Sequence, residues 1–151
     1  EYHQNIAITG PTGCGKTYIA CALAQKACRE GHRALYFYAP KLFRALAMAY
    51  ADGSIGKFLS KLARAQVLVV DDWGIAEITK QQYRDFLELL DDRHGVGATV
   101  MTSQFAVDDW HQTIPDPTVA DAILDRIVHN AHKIELGGKS MRGLKRSHSR
   151  S

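Results

Sequence analysis

A glycine-rich loop near the start of the chain limits the possible folds more than any other feature. Residues 10–17 read Gly-Pro-Thr-Gly-Cys-Gly-Lys-Thr, which is the spacing G-x-x-x-x-G-K-T. An apolar run at 6–8 precedes the loop, and a helical pattern at 18–30 follows it. A strand, a glycine-rich loop and then a helix form the context in which this spacing binds nucleoside triphosphates. The sequence therefore predicts an α/β fold built around a phosphate-binding loop.

The residue types in the loop suit a polyphosphate. Gly10, Gly13 and Gly15 allow backbone conformations that turn successive N–H groups toward an anion, and the helix N-terminus adds partial positive charge. We predict that Lys16 contacts the β- and γ-phosphates and that the Thr17 hydroxyl coordinates Mg²⁺. The predicted nucleotide-binding residues of this loop are Gly10, Pro11, Thr12, Gly13, Cys14, Gly15, Lys16, Thr17 and Tyr18.

Length and composition favour one globular domain. The chain has 151 residues, of which 46% are hydrophobic, so it is long enough and apolar enough to bury a core. No apolar stretch has the length of a membrane span and no signal peptide is visible, so we expect a cytoplasmic protein. The net charge of +3 is too small to indicate nucleic-acid binding by itself. Cys14, Cys21 and Cys28 lack zinc-ligand spacing, and we expect them to be buried as small residues.

Apolar runs alternate with helical patterns, and this order predicts a parallel sheet with helices on both faces. The predicted strands are 5–9, 34–38, 67–71, 98–103 and 133–136, and the predicted helices are 18–30, 41–50, 55–65, 80–94, 107–113 and 118–129. Thr79 and Gln82 form a capping-box pattern, Pro40 is expected to end the second strand, and Thr118 is expected to cap the last helix. Ligands of such sheets bind at the carboxyl ends of the strands.

Polar residues follow two of the predicted strands. Asp71 and Asp72 come at the end of the apolar run 67–70. We predict that Asp71 holds Mg²⁺, directly or through water, and that Asp72 activates the attacking water. The alternative for this pair of acids is a solvated turn. After the fourth strand, either Gln104 or Ser103 is expected to orient that water, or both are ordinary polar residues leaving a strand.

Arg126 lies at the edge of the apolar stripe of helix 118–129. Its side chain either extends along the surface to solvent or reaches the triphosphate of a neighbouring subunit as an arginine finger. His129 and His132 have no third metal ligand nearby in the sequence, so we interpret them as structural or solvent-facing. Trp73 and Trp110 are interpreted as packing or interface residues.

Five stretches, in this order, resemble the IstB-type transposition helper ATPases, which are similar to the DnaC helicase loaders within the AAA+ superfamily. They are the loop at 10–17, Leu-Val-Val-Asp-Asp-Trp-Gly at 68–74, Met-Thr-Ser-Gln at 101–104, Ile-Leu-Asp-Arg-Ile-Val-His-Asn-Ala-His at 123–132 and Lys-Ser-Met-Arg at 139–142. The resemblance covers nearly all of 5–142. It implies a P-loop NTPase with an AAA+ core at 1–142, a five-stranded sheet of order 5-1-4-3-2, and little or no lid domain. The polar, basic residues 143–151 are expected to form a disordered tail.

The resemblance also implies an activity and partners. These are hydrolysis of ATP to ADP and phosphate with Mg²⁺, ATP-dependent homo-oligomeric assembly on DNA, and assistance to a transposase. Gln104 would be the sensor-one residue, Arg126 an arginine finger acting in trans, and Arg142 a second sensor at the γ-phosphate. Asp72 stands where glutamate is more usual, so we expect slow hydrolysis that DNA, oligomerisation or a partner stimulates. Because the chain begins at Glu1, we expect a fragment without the family's N-terminal region.

The helices at 41–65 correspond to an element that this family uses for DNA handling. Its basic residues are Lys41, Arg44, Lys57, Lys61 and Arg64. Contacts of such residues with DNA phosphates would be largely independent of sequence, and the alternative is a solvated charged face. Two other functions remain open: a DnaC-like replicative helicase loader, and a P-loop small-molecule kinase, whose acceptor pocket and arginine-rich lid the sequence does not show. No membrane partner is expected.

Overall fold

The apolar runs form five parallel strands, and the helices connect them. The computed structural model describes residues 4–129 and 131–137. The strands are β1 (Ile6–Thr9), β2 (Ala34–Tyr38), β3 (Val67–Asp71), β4 (Ala98–Ser103) and β5 (His132–Glu135). The helices are α1 (Lys16–Arg29), α2 (Ala39–Asp52), α3 (Ile55–Ala63), α4 (Lys80–Arg93), α5 (Trp110–Thr113) and α6 (Pro117–Ile127), with a 3₁₀ turn at Val107–Asp109 before α5.

The sheet has the order β2-β3-β4-β1-β5, and all neighbouring strands are parallel. This confirms the predicted order 5-1-4-3-2. Strand β4 lies between β1, which leads into the glycine-rich loop, and β3, which ends in the two acids. The N–H of Gly10 donates to the carbonyl of Ser103 (3.2 Å), and the N–H of Trp73 donates to the carbonyl of Thr102 (2.8 Å). The end of β4 therefore holds both functional loops at one edge of the sheet.

Alternate residues of the central strands face different helical layers, as the pleat of a sheet requires. On one face, Ile8, Val69 and Val100 pack with Ala20 of α1. On the other face, apolar residues of the same strands pack with α2, α3, α4 and α6. The strands are thus buried on both sides, which explains their nearly continuous apolar sequences.

An aromatic cluster fixes the turn that follows β3. The ring of Trp73 lies 5.6 Å from Phe43 of α2, 5.3 Å from Phe86 of α4 and 6.1 Å from Trp110, measured between centroids. Trp73 is 1% exposed and Trp110 is fully buried. The interpretation of both tryptophans as packing residues is confirmed. Because Trp73 directly follows Asp72, the aromatic cluster holds the turn at Asp71 and Asp72 against α2 and α4.

Arg93, in the last turn of α4, is a buried cation without a carboxylate partner among the described residues. It is 2% exposed, and burial lowers the pKa of its guanidinium to about 10. The guanidinium donates to the carbonyls of Leu62 (2.9 Å), Ala65 (2.6 Å) and Ala98 (2.7 Å), and to the Thr99 hydroxyl (3.0 Å). One side chain therefore joins the end of α3 to the start of β4.

Replacing Arg93 with methionine should lower the free energy of unfolding by about 3 kcal/mol, because it leaves buried carbonyls without their donor. In a domain of this size that corresponds to a fall in melting temperature of about 10 °C. Differential scanning calorimetry measures the melting temperature. The matched control is Arg84→Met, which changes an exposed arginine on the same helix. Equal melting temperatures for the two variants would show that the hydrogen bonds of Arg93 do not contribute to the stability of the fold.

Most predicted elements differ from the observed ones by one or two residues at their ends, and three predictions about helix starts are wrong. Pro40 does not end β2 but occupies the first turn of α2, where proline is favoured because its missing N–H has no helical acceptor. Thr118 is not the cap of α6: the Asp116 carboxylate accepts from the N–H groups of Thr118 (3.0 Å) and Val119 (3.4 Å). The single helix predicted at 107–113 is a 3₁₀ turn followed by α5. The capping box of Thr79 and Gln82 is confirmed.

The cysteine prediction is correct at one position only. Cys14 is buried, whereas Cys21 and Cys28 are exposed on α1. Helix α1 is the only helix on its face of the sheet within the described part of the chain, so its outer side meets solvent. Arg142, the Ser-Met-Arg stretch at 140–142 and the tail at 143–151 lie outside the described residues. No helix in the described ranges combines the length and apolarity needed to cross a membrane.

Candidate nucleotide-binding site

All three glycines of the loop, Gly10, Gly13 and Gly15, have positive φ angles, a backbone geometry that other residues rarely adopt. Gly10 has φ +156°, and a Cβ there would lie 2.7 Å from the Cys14 sulfur and 3.0 Å from the Cβ of Leu136. Gly15 has φ +97° and is the N-cap of α1. Because Gly15 has no side chain to cap the helix, the first N–H groups of α1 remain available to an anion, with the positive end of the helix dipole behind them.

Lys16 and Thr17 open α1 and point to the same cleft. Lys16 is 5% exposed, and its ammonium donates to the Pro11 carbonyl (3.1 Å), so the side chain folds back along the loop. The Thr17 hydroxyl lies 3.0 Å and 3.1 Å from the two carboxylate oxygens of Asp71. A hydroxyl beside a carboxylate provides the hard oxygen ligands that Mg²⁺ prefers. The residues present therefore fit a magnesium ion at the position that the sequence predicts.

Asp71 is held by hydroxyl groups from three elements. Besides Thr17, it accepts from Tyr36 of β2 (Oδ2, 2.5 Å) and from Thr102 of β4 (Oδ1). Asp71 is 2% exposed, so these donors replace water around a buried carboxylate. Burial, together with the hydrogen bond to Asp71 and its charge, raises the pKa of Tyr36, so the phenol keeps its proton and remains a donor.

Asp72 turns back toward the cleft because its backbone is left-handed. Its φ is +63°, a conformation that few residues other than glycine, asparagine and aspartate adopt readily. The N–H of Asp72 donates to the Thr102 hydroxyl (2.8 Å). Burial and the neighbouring charge of Asp71 raise the pKa of the Asp72 carboxyl, and the Lys16 ammonium partly opposes this shift. Asp72 is thus an acid close to both Lys16 and Asp71, the predicted magnesium ligand.

The structure separates the two water-orienting candidates at the end of β4. The Ser103 hydroxyl is fully buried, donates to the Trp73 carbonyl (2.7 Å) and accepts from the N–H of Phe105 (3.1 Å). Gln104 instead lines the cleft, where its Oε1 accepts from the Thr12 hydroxyl (3.1 Å). The geometry therefore favours Gln104 over Ser103 for a role toward substrate.

These residues surround one cleft of about 600 Å³ at the carboxyl ends of the strands. Its lining residues are Thr12, Gly13, Gly15, Lys16, Thr17, Tyr18, Asp72, Ile75 and Gln104. A second cavity, of about 500 Å³, lies between α1 and the amino ends of the strands. It has none of the phosphate-loop residues in its wall. The predicted loop residues, both acids and Gln104 thus meet at the edge of the sheet where a parallel fold binds ligands.

Arg126 lies on α6 and is not part of the wall of this cleft. Its Nε is 2.6 Å from Asp91 of α4, and one terminal nitrogen is 2.9 Å from Asp125. The hydrogen bond to Asp91 and the charge of that carboxylate raise the pKa of Arg126, so the guanidinium stays charged. His129 pairs with Asp125 and His132 contacts Gln4, both exposed, in agreement with a solvent-facing role.

Sequence reasoning missed Tyr36, Ile75 and Thr102. The alternation of β2 puts Tyr36 on the face that carries α1, and the register pairs Tyr38 with Asp71. Thr102 follows Met101, which pairs with Val70, so it comes beside Asp71. One sequence signal could have indicated Thr102. It is a polar residue in a mostly apolar strand, and that strand is the neighbour of β3, which ends in Asp71. No pattern in the sequence indicates Ile75.

Comparison with known proteins agrees with this geometry. The sequence model of the family described as "IstB-like ATP binding protein" matches residues 1–149. The insertion sequence ATP-binding protein y4pL of Sinorhizobium fredii (strain NBRC 101917 / NGR234) is 49% identical over 142 residues. The match covers 94% of this chain and 58% of y4pL, so the chain spans little more than half the length of that relative.

Solved structures share the fold. The crystal structure of DnaI is 26% identical with a TM-score of 0.79, and the match covers 90% of this chain and 74% of DnaI. The replication initiator DnaA, bound to AMPPCP and single-stranded DNA, is 18% identical with a TM-score of 0.75, covering 90% of this chain and 41% of DnaA. With the phosphate loop, the sheet order and the family match in agreement, this chain belongs to the IstB-like ATP-binding proteins and has the P-loop AAA+ fold.

Proposed function

We propose that this chain is the ATPase module of a DNA-transposition helper. It hydrolyses Mg·ATP slowly, assembles on DNA as a homo-oligomer in the cytoplasm, and assists a transposase. One observation carries the proposal: residues of the phosphate loop, a second acid and an amide line a single cleft, and the buried Asp71 carboxylate adjoins it through its hydrogen bond with the Thr17 hydroxyl, a pair suited to Mg²⁺. The insertion-sequence name of y4pL supports the assignment to transposition.

In this proposal each residue of the cleft has a separate role. Loop N–H groups and Lys16 bind the β- and γ-phosphates, and Thr17 and Asp71 hold Mg²⁺, which neutralises phosphate charge when bound. Gln104 orients a water molecule, and Asp72 accepts its proton as the water oxygen bonds to the γ-phosphorus. The bond from that phosphorus to the β-phosphate oxygen breaks, which releases ADP and phosphate. The short side chain of Asp72 is consistent with slow hydrolysis that an assembly partner stimulates.

Residues outside the cleft complete the proposed active site. Arg126 contacts the triphosphate of the neighbouring subunit, and the position of Arg126 on the outer surface of α6 supports a contact between subunits. Arg142, outside the described residues, is assigned to the γ-phosphate as a second sensor. The assignment of Arg126 needs an oligomer, so it belongs with assembly rather than with the isolated subunit.

The proposed DNA surface is the outer side of α2 and α3. Its basic side chains, Lys41, Arg44, Lys57, Lys61 and Arg64, are all exposed, and none forms a salt bridge within the described ranges. On α3, Lys57 and Lys61 are one turn apart, and Arg64 follows as the C-cap. Unpaired cations on one surface suit contacts with DNA phosphates. DnaA, which shares this fold over part of its chain, has been solved bound to single-stranded DNA, and this supports a nucleic-acid partner.

Changing Lys57, Lys61 and Arg64 together to glutamate should lower DNA affinity about tenfold or more and should flatten its salt dependence, because phosphate contacts are lost. DNA-stimulated ATP hydrolysis should fall in parallel, while basal hydrolysis should not change. Fluorescence anisotropy with labelled DNA and a phosphate-release assay measure the two effects.

The matched control changes Lys26, Arg29 and Arg33 to glutamate. These exposed cations belong to the α1 side of the molecule, so the net charge changes equally on a different surface. Equal losses for the two triple variants would refute a specific DNA surface on α3.

A transposase is the expected protein partner. Capture of a replicative helicase instead, from a cell extract passed over the immobilised protein, would favour the loader function.

A further inference from the structure

Tyr36 is placed to act on the magnesium ligand although it lies outside the cleft. It is the third residue of β2, on the strand that neighbours β3, and its hydroxyl donates to Oδ2 of Asp71 (2.5 Å). In the register of the two strands Tyr38, not Tyr36, is opposite Asp71. The side chain of Tyr36 therefore leans along the strand direction to reach the carboxylate, as strand side chains do.

Thr102 holds the other oxygen of the same carboxylate. Its hydroxyl donates to Oδ1 of Asp71 and accepts from the N–H of Asp72 (2.8 Å). The backbone N–H can only donate, so the one hydroxyl proton of Thr102 is committed to Asp71. This donor is fully buried on β4 and cannot exchange its partner for water.

The two donors fix the rotation of the carboxylate. A carboxylate group turns easily about its terminal bond, because that torsion has a broad energy profile. Hydrogen bonds from β2 on one oxygen and from β4 on the other remove this freedom. A carboxylate has about four lone-pair positions, so positions remain open toward Thr17, 3.0 Å and 3.1 Å away.

We propose that Tyr36 is a positioning residue for magnesium binding. With Thr102, its hydroxyl holds the Asp71 carboxylate in the orientation in which the remaining lone pairs accept from the Thr17 hydroxyl, on the side where Mg²⁺ would bind. This inference rests on the proposed function, since it assigns a residue to the Mg·ATP site. Hydrogen-bond partners of metal ligands typically contribute 10–100-fold in metal affinity.

Replacing Tyr36 with phenylalanine should raise the Mg²⁺ concentration that half-saturates binding of a fluorescent ATP analogue by about tenfold. Nucleotide affinity in EDTA should remain at the wild-type value, because Tyr36 does not line the nucleotide cleft. Direct binding of Mn²⁺ in the presence of ATP, followed by electron paramagnetic resonance, should show the same loss. This second measurement is independent of hydrolysis.

Tyr38→Phe is the matched control. It removes the same hydroxyl from the same strand and face, and the Tyr38 hydroxyl makes no hydrogen bond to any residue in 4–129 or 131–137. Unchanged or tighter Mg²⁺ binding by Tyr36→Phe would overturn the inference. A loss of nucleotide affinity in EDTA as large as the loss with Mg²⁺ would also overturn it, because that result indicates a general effect on folding. Wild-type protein that binds no Mg·ATP would overturn the proposed function, and this inference with it.

Discussion

Replacing Lys16 with alanine is expected to lower the affinity for ATP by about 1,000-fold, because hydrogen bonds from a cation to two phosphates each contribute roughly 1.5–3 kcal/mol. The side chain is nearly buried in the loop, so no exposed lysine can take its place. Isothermal titration calorimetry with a non-hydrolysable ATP analogue measures the loss. Circular dichroism should show an unchanged fold, since the side chain of Lys16 makes only one hydrogen bond within the described chain.

Lys26→Ala is the control for this measurement. Lys26 is exposed on the same helix, ten residues further on, or about 15 Å along the helix axis. The Lys26→Ala substitution removes one positive charge without changing the loop, so ATP affinity should be unchanged. Comparable affinities for the two variants would mean that nucleotide binds elsewhere, and the proposed function would then fail at its first step.

Replacing Arg126 with alanine is expected to lower ATP hydrolysis in the assembled protein by about 1,000-fold, the smaller end of the range for arginine fingers. ATP binding should be unchanged, because Arg126 does not line the cleft of its own subunit. Phosphate release in the presence of DNA measures the first quantity, and calorimetry measures the second.

Asp91→Asn separates this role from a structural one. It removes the charge that pairs with Arg126 at 2.6 Å but leaves the guanidinium in place. Hydrolysis should survive this change if Arg126 acts on a neighbour, and should fall as far as in Arg126→Ala if the ion pair is what matters.

Mixing two inactive variants tests action in trans. Arg126→Ala keeps an intact cleft, and Lys16→Ala keeps an intact arginine. In mixed oligomers the second variant can supply its arginine to the first, so hydrolysis should partly return. A mixture as inactive as its components would contradict a contact between subunits.

The parts of the site that could be predicted from the sequence are those with local causes. The loop spacing predicts that Lys16 and Thr17 lie in the cleft, and the apolar run before Asp71 predicts a buried strand ending in an acid. The strand order came from the family resemblance and is confirmed. The cap at Asp116 also has a local signal, because aspartate before a proline is a stronger helix start than Thr118.

Other features depend on contacts between distant segments, and no local pattern contains them. Tyr36 and Thr102 meet Asp71 only because β2, β3 and β4 are neighbours in a particular register. Arg93 sits in the last turn of an amphipathic helix, where an arginine is ordinarily solvated. Its burial follows from the close approach of α3, which supplies carbonyl oxygens in place of water.

The contact between Trp73 and Phe43 links the two surfaces that the proposed function uses. Phe43 belongs to α2, between the exposed cations Lys41 and Arg44, and Trp73 is the residue after Asp72. Protein interiors are packed about as densely as organic crystals, so a shift of α2 must either carry the tryptophan with it or open a void. A ligand that displaces α2 would therefore also displace Asp72 in the wall of the cleft, through the contact between these two aromatic rings.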